Sequence, residues 1–423
     1  MSDTWYKVDN VAKVFLAAYN RRDPRVFRIS CTLKEKISQE LLQQALEKTI
    51  QELPQFQVRL HRGVFWHYME ETAAEPKVRE EHLAPCSALY GPSSRGKLHY
   101  RVVYFGNRIT LEVFHAISDG NGGVSFMNVL VQNYLQLSHP GELNDVSVYS
   151  GASADDLGQD SFRQFFKKHP GNGETIDTAS ASAAKDSYRI NSLKLPYYQE
   201  RFYEIHLPTQ EILKRAKETG TSLTSYLGAR LMLAIYAGMP AAEASHPITI
   251  GLPVNLRNYY PSQTLRNFFN TVFVSHVFSG DETIETLAAE FETKLREAVL
   301  PEHIRARMDH FEKLEQQYAI KAVPLIIKDL TVRYFTRKED RNVTATLSNL
   351  GRLKLDEQIR PYVDSYAAYC STSGLFITTC SLDDDLVLGV SSCYRSSNVL
   401  QKLVRDFTKE GIEAVIYATD PVM

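Results

Sequence analysis

The segment Phe114-His115-Ala116-Ile117-Ser118-Asp119-Gly120 sets a histidine four residues before an aspartate and five before a glycine, where an alternating apolar run meets a helical one. An imidazole with an ordinary pKa of about 6.5 is suited to take a proton from a hydroxyl or an amine at neutral pH. At the end of a strand it is held by rigid scaffold while its ring reaches a cleft. The positive end of the helix that follows favours the neutral, base-competent ring. The competing reading of His115 is a partly buried strand histidine bonded to a carbonyl. Asp119, with Ser118, sits where a helix N-cap belongs, and Gly120, Gly122 and Gly123 permit a tight turn. A structural role is therefore expected for Asp119: it steadies the loop that aims the imidazole.

Two more segments carry polar groups beside apolar runs. Pro253-Val254-Asn255-Leu256-Arg257 precedes Thr264-Leu265-Arg266-Asn267-Phe268-Phe269-Asn270. An arginine after an apolar strand is usually solvated, but a buried one needs an acidic partner. Thr346-Leu347-Ser348-Asn349-Leu350-Gly351 reads on its own as a strand running into an Asn/Gly turn. There is no phosphate-loop signature, no strand-linked G-x-G-x-x-G, no H-E-x-x-H and no G-x-S-x-G elbow. Nucleotide hydrolases, dinucleotide enzymes, zinc proteases and α/β-hydrolases are thereby disfavoured, and no metal site is expected.

The elements that must position these residues follow from periodicity. Val26 to Leu33 reads as a strand, and Ser38 to Leu53 as a capped amphipathic helix stopped by Pro54. Strands are expected at Val64 to Glu70, Leu98 to Tyr104 and Arg108 to His115, then a helix from Gly122 to Leu137. Between Ser138 and Leu195 the composition turns to Ser, Gly, Ala and Asp, including GNGETIDTASASAAKD, with helix expected only at Ser161 to Lys168; this reads as a crossover. A second half repeats the order: strand Arg201 to Leu207, helices Thr209 to Glu218 and Ser222 to Gly238, strands Ile248 to Leu256 and Thr271 to Phe278. Three helical stretches lie between Glu282 and Arg337, strands return at Val343 to Leu347, Gly374 to Cys380 and Leu386 to Ser391, and Val399 to Tyr417 is expected as a closing helix. The repeated order hints at an internal duplication of two mixed α/β halves, 1–190 and 191–423.

A chain of 423 residues can bury a sizeable core, and 48 Lys+Arg against 50 Asp+Glu argue against a chain-wide footprint for nucleic acid or an anionic surface. Five cysteines with no C-x-x-C pair suggest neither a zinc site nor a disulfide framework. The polar start MSDTWYKVDN lacks a signal-peptide layout, and Leu231 to Ala242 is too short to span a bilayer, so a cytoplasmic location is expected.

Taken together, His115 with Asp119 and Gly120 (H-x-x-x-D-G), Pro253 to Arg257 (P-V-[DN]-L-R), Asn267 to Asn270 and Ser348 to Gly351 (S-N-x-G) resemble the chloramphenicol-acetyltransferase-like superfamily, which includes condensation domains. Phe114, where condensation domains usually carry a first histidine, and the absence of D-F-G-W-G place the nearest resemblance with bacterial alcohol acetyltransferases. The resemblance implies an α/β (α+β) fold of two similar lobes in a V with a tunnel between them. It implies acyl transfer from a thioester, with acyl-CoA as co-substrate and no bound cofactor, to a small alcohol or amine. His115 would be the general base, with Asp119, Gly120 and Arg257 as structural support and an Asp119–Arg257 ion pair. Asn349, Asn267 and Ser348 would be candidate substrate contacts. An acyl carrier protein as donor, or a non-catalytic acyl-binding role, are the alternatives. Arg21, Arg22, Arg25, Arg337 and Lys338 are expected mainly as solvated surface, with CoA phosphates as the other possibility.

Overall fold

Strict alternation in Arg108–Phe114 makes a strand whose Ile109, Leu111 and Val113 face one side and Thr110, Glu112 and Phe114 the other, and both sides are buried. Glu112 tolerates this because Arg28 and Arg101 pair with it. The computed structural model describes residues 5–91, 96–143, 153–167, 183–316 and 323–419.

Strand β1 (Trp5–Lys7) leads into helix α1 (Asn10–Ala18), capped by Asp9, whose carboxylate accepts from Ala12 N at 2.7 Å. Then come β2 (Val26–Leu33), α2 (Gln39–Glu52), β3 (Val58–Arg62), β4 (His67–Glu71), β5 (Arg79–Glu80), β6 (Tyr100–Phe105), β7 (Arg108–Phe114) and α3 (Gly120–Ser138). The crossover contains α4 (Ala154–Gly158) and a π-helical turn, Arg163–Lys167. Residues 171–182 of its Ser/Ala-rich stretch lie outside the described residues. The rest of the chain forms β8 (Arg201–Pro208), α5 (Thr209–Glu218), α6 (Leu223–Tyr236), β9 (Ile248–Asn255), β10 (Phe269–His276), α7 (Ile284–Ala298), α8 (Pro301–Gln316), α9 (Leu325–Asp340), β11 (Ala345–Arg352), β12 (Val363–Cys370), β13 (Leu375–Leu382), β14 (Asp385–Ser392), α10 (Asn398–Lys409) and β15 (Val415–Ala418).

These strands make three sheets, in the orders β1-β4-β3, β12-β2-β7-β6-β5 and β10-β9-β11-β13-β14-β8-β15. Strand β12 lies late in the chain yet pairs antiparallel with β2, setting Tyr366 opposite Cys31, so the first large sheet takes an edge strand from the second half. One core gathers Phe56, Phe114, Phe126 and Val363; another gathers Tyr226, Ile250, Phe291 and Phe407. A smaller cluster joins Phe162 and Phe166 of the crossover to Leu256 and Phe268.

Two expectations are corrected. The closing helix stops at Lys409, because Gly411 takes a left-handed φ of 80° while Ile412 N bonds back to Phe407 O. The β-branched run beyond it then pairs with β8 as β15. The apolar residues Val64 to Trp66 form a hairpin tip closed by Gly63 N to Trp66 O at 3.0 Å, and strand β4 starts only at His67. Helices α1 and α4 and strands β1, β3, β5 and β12 form where the sequence predicts no element. In β12, the buried Tyr-Ala-Ala-Tyr run faces neighbours on both sides and shows no alternation.

Candidate active site

The chain leaves β7 at Phe114, and His115 N donates to Arg25 O at 2.8 Å, which fixes the backbone under the ring. Arg25 itself adopts φ 56°, a left-handed conformation rare for a side-chain-bearing residue and held here by its neighbours. Asp23 accepts from Arg25 N at 3.0 Å, and the Arg25 guanidinium pairs with Asp340 at 3.0 Å. Helix α3 begins at Gly120 behind its N-cap Asp119. A Cβ at Gly122 would lie 2.2 Å from Leu265 O and from Ser118 Oγ, and one at Gly123 would lie 2.3 Å from the Phe27 ring. Glycine at these two positions is what allows the helix to start this close to the 264–268 loop and to β2.

The His115 ring stacks on Phe15 with centroids 4.3 Å apart, meets the edge of Phe27 at 5.0 Å, and lies 5.6 Å from Phe269. Asn267 grips it from the remaining side: its Nδ2 donates to His115 O at 2.8 Å, so its Oδ1 must be the atom 3.3 Å from His115 Nδ1. An amide oxygen only accepts, so Nδ1 carries the proton and Nε2 keeps its lone pair. Burial among the aromatic rings pushes the imidazole pKa below its ordinary value; the Asp119 carboxylate and the Asn267 hydrogen bond act in the opposite direction. The result is a neutral ring with a basic nitrogen.

The expected Asp119–Arg257 pair is present at 2.8 Å and both groups are largely buried. Asp119 spends both oxygens: Oδ1 accepts from Gly122 N at 3.0 Å, and Oδ2 accepts from Arg257 and from Phe268 N at 2.9 Å. Arg257 also donates to Thr264 O, at 3.0 and 2.7 Å, to Arg266 O at 2.7 Å and to Asn255 Oδ1 at 3.2 Å. One ion pair thus ties the start of α3 to the loop between β9 and β10. Its carboxylate does not touch the His115 ring.

Asn267 is buried, with both amide atoms turned to His115, which places it behind the ring. Asn349 donates to Thr224 Oγ1 at 2.9 Å and accepts from Gly351 N at 2.8 Å. It lines a cleft of about 450 Å³ with Leu213, Leu223, Arg352 and Asp383. Ser348 pairs with Thr378 within the sheet. The expected Asn/Gly turn is instead an irregular part of β11, and there it is Leu350 that reaches Gly120: a Cβ at Gly120 would lie 2.7 Å from Leu350 Cδ2.

Phe15 and Phe27 carry no motif, and Phe269 stands in the quoted segment Thr264 to Asn270; Arg25, expected mainly as solvated surface, instead lies under His115 with its guanidinium paired to Asp340. Phe268, the neighbour of Phe269, is core, stacked against Phe165. Arg22 donates to Leu195 O at 2.9 Å and lies over Tyr197. Among the described residues there is no cluster of His, Cys, Asp and Glu that could hold a metal, and no helix long and apolar enough to cross a membrane.

Neither protein-family models nor curated proteins give a match to this chain. Solved structures do. The trichothecene 15-O-acetyltransferase TRI3 of Fusarium sporotrichioides aligns with a TM-score of 0.62 at 13% identity, covering 96% of this chain and 94% of that one. TRI101 of the same organism, complexed with coenzyme A and T-2, aligns with a TM-score of 0.61 at 11% identity, covering 98% and 99%. The first condensation domain of the CDA synthetase aligns with a TM-score of 0.61 at 14% identity, covering 97% and 95%. The chain therefore has the mixed α+β fold of chloramphenicol-acetyltransferase-like and condensation-domain proteins over nearly its whole length.

Proposed function

We propose that this protein is an acyltransferase that moves an acyl group from an acyl thioester, with acyl-CoA as donor, to a hydroxyl or amine acceptor. The observation that carries the reading is the state of His115: a neutral ring whose Nδ1–H is held by Asn267 and whose Nε2 is left basic. Nε2 accepts the acceptor proton as the acceptor oxygen or nitrogen attacks the thioester carbonyl. Collapse of the tetrahedral adduct breaks the C–S bond, and the thiolate takes the proton back from the imidazolium. No covalent acyl-enzyme is formed. The Asp119 carboxylate, which favours the charged ring, stabilises the imidazolium of that step from a distance.

Support for the thioester comes from the fold, which is shared with two acetyltransferases, one of them bound to coenzyme A, and with a condensation domain. In this reading the site lies in a tunnel between two lobes, 1–190 and 191–423, set in a V and tied by Asp119 and Arg257 and by the strand that β12 adds to the first sheet. Asn349 and Ser348 belong to the donor or acceptor path on the second lobe.

The test is acceptor-dependent thiol release from short and long acyl-CoAs against panels of alcohols and amines. Wild-type protein is expected to release thiol and His115→Ala to lose at least about 100-fold of that rate. Undiminished turnover by His115→Ala contradicts the assignment. If free acyl-CoA is inert while an acylated carrier protein is consumed, the donor is a carrier protein; if neither is consumed, the reading as an enzyme fails.

A further inference from the structure

Both tryptophans of the chain are more than half exposed, although a side chain of this size normally contributes to a core. Trp66 stands at the tip between β3 and β4 with Val64 and Phe65, Val64 being 72% exposed. Helix α9 is fastened against this tip: Leu325 N donates to Val64 O at 2.8 Å, Lys328 Nζ to Phe65 O at 3.1 Å, and Arg62 pairs with Asp329 at 3.0 Å. The outward face of α9 then carries Ile326, Ile327, Leu330 and Tyr334, with Ile326 61% and Leu330 60% exposed. At helical spacing these four share one stripe, and the same stripe continues into Arg337, Lys338 and Arg341, all exposed.

Water-exposed apolar residues in such a group need a reason. The charges say which partner fits. The acids of α9 are engaged elsewhere: Asp329 with Arg62 and His67, Asp340 with Arg25, and Glu339 beside Arg307. The exposed cations are left facing outward next to the apolar stripe. Aromatic and aliphatic side chains bordered by Lys and Arg form the pattern that lies in the headgroup region of an anionic bilayer. A second copy of this face would bring cations against cations or against apolar groups, with no acid to meet them.

We propose that the β3–β4 tip and the outer face of α9 form a peripheral docking site for a lipid surface bearing anionic headgroups. The same helix ends at Asp340, whose partner Arg25 supports the His115 backbone, so the docking face and the candidate active site sit at two ends of one element. The proposal stands apart from acyl transfer, because binding alone tests it.

The full chain is sedimented with vesicles of phosphatidylcholine, with and without phosphatidylserine, and a Trp5→Phe variant reports on Trp66 by fluorescence. Binding to the serine-containing vesicles with a blue-shifted Trp66 emission is expected. Ile327→Asp with Leu330→Asp should weaken the partition at least about tenfold. Arg337→Glu with Lys338→Glu should weaken it by about fivefold or more per residue on anionic vesicles only. These residues are exposed, and unchanged unfolding curves check that the variants fold. Absence of sedimentation with either vesicle, wild-type binding by both variants, or self-association of the chain that the same substitutions abolish would each overturn the proposal.

Discussion

Two half-buried histidines in different company show what would separate the proposed base from a strut. His115, at the head of α3, lies among Phe15, Phe27 and Phe269 with an amide as its polar partner, and its pKa is pushed down. His206, on β8, lies between Asp385, 3.0 Å from Nδ1, and Glu204, 3.4 Å from Nε2. Burial alone would lower it too, but the two carboxylates outweigh that and push it up to about 9. Glu204 in turn is held at about 2, because hydrogen bonds from His206, Arg108 and Tyr369 outweigh its burial. Arg108 and Tyr369 come from the first large sheet and Glu204 from the second, so this cluster is a seam between sheets with every group spent. His99 completes the contrast. It is neutral, lowered by burial to about 4, yet Nε2 accepts from Leu60 N and Nδ1 faces Leu89 O. A neutral ring is not enough; the base also needs an uncommitted nitrogen, and of these three only His115 has one.

The largest effect expected from this contrast is on rate. His115→Ala should lower acceptor-dependent thiol release by about 100- to 10,000-fold, while His206→Gln should leave kcat nearly unchanged in protein that remains folded. A comparable loss in both would break the distinction.

Stability should respond at the neighbouring ion pair. Asp119→Ala leaves the Arg257 guanidinium buried without its acid, at a cost of about 3–5 kcal/mol in urea unfolding. Adding Arg257→Met should recover part of that loss, because the unpaired charge is then gone.

The seam cluster gives a smaller, pH-dependent contribution. The folded pKa of His206 lies above its unfolded value of about 6.5, so its stabilisation is fully present below about pH 6.5 and is lost as pH rises through about 9. Because His206 and Glu204 report one interaction from two ends, it is counted once, and solvent screening of the partly exposed His206 and Asp385 brings it down to about 2 kcal/mol. His206→Gln should remove that component, flattening the alkaline limb of unfolding free energy against pH.

Legibility in the sequence followed the same division. The His115 to Gly120 motif is local: strand alternation, an N-cap acid and close-packed glycines are all contiguous, whereas the Asp119–Arg257 pair was expected from the family resemblance and not from either segment alone. The surroundings of the ring are not local. Phe15 reaches it from a short helix, Phe27 from β2 and Asn267 from a loop 152 residues further on. Nothing in their own neighbourhoods distinguishes them from core. Strand β12 escaped notice for the same reason: Tyr366, Ala367, Ala368 and Tyr369 are buried on both faces, so the period-2 signal vanishes. Asn267 was recognisable as polar within an apolar segment, but its direction toward the histidine was set only by the tertiary fold.

The finest expected effect is a shift in an acid limb. The rate should fall on acidification with a midpoint below the ordinary histidine value of about 6.5, since only the neutral ring acts. The Asn267 hydrogen bond raises the His115 pKa against burial, so Asn267→Ala should move that midpoint lower still, while reducing kcat by about tenfold as the ring loses its aim. An upward shift would mean that Asn267 acts in some other way.

The central claim concerns one proton, and nitrogen NMR of the histidine side chains measures it. With His115 assigned through His115→Gln, the account predicts a neutral ring at about pH 7, protonated on Nδ1 and titrating below the ordinary value, beside a His206 that stays charged to about pH 9. A His115 that is an imidazolium at neutral pH, or that carries its proton on Nε2, would contradict it.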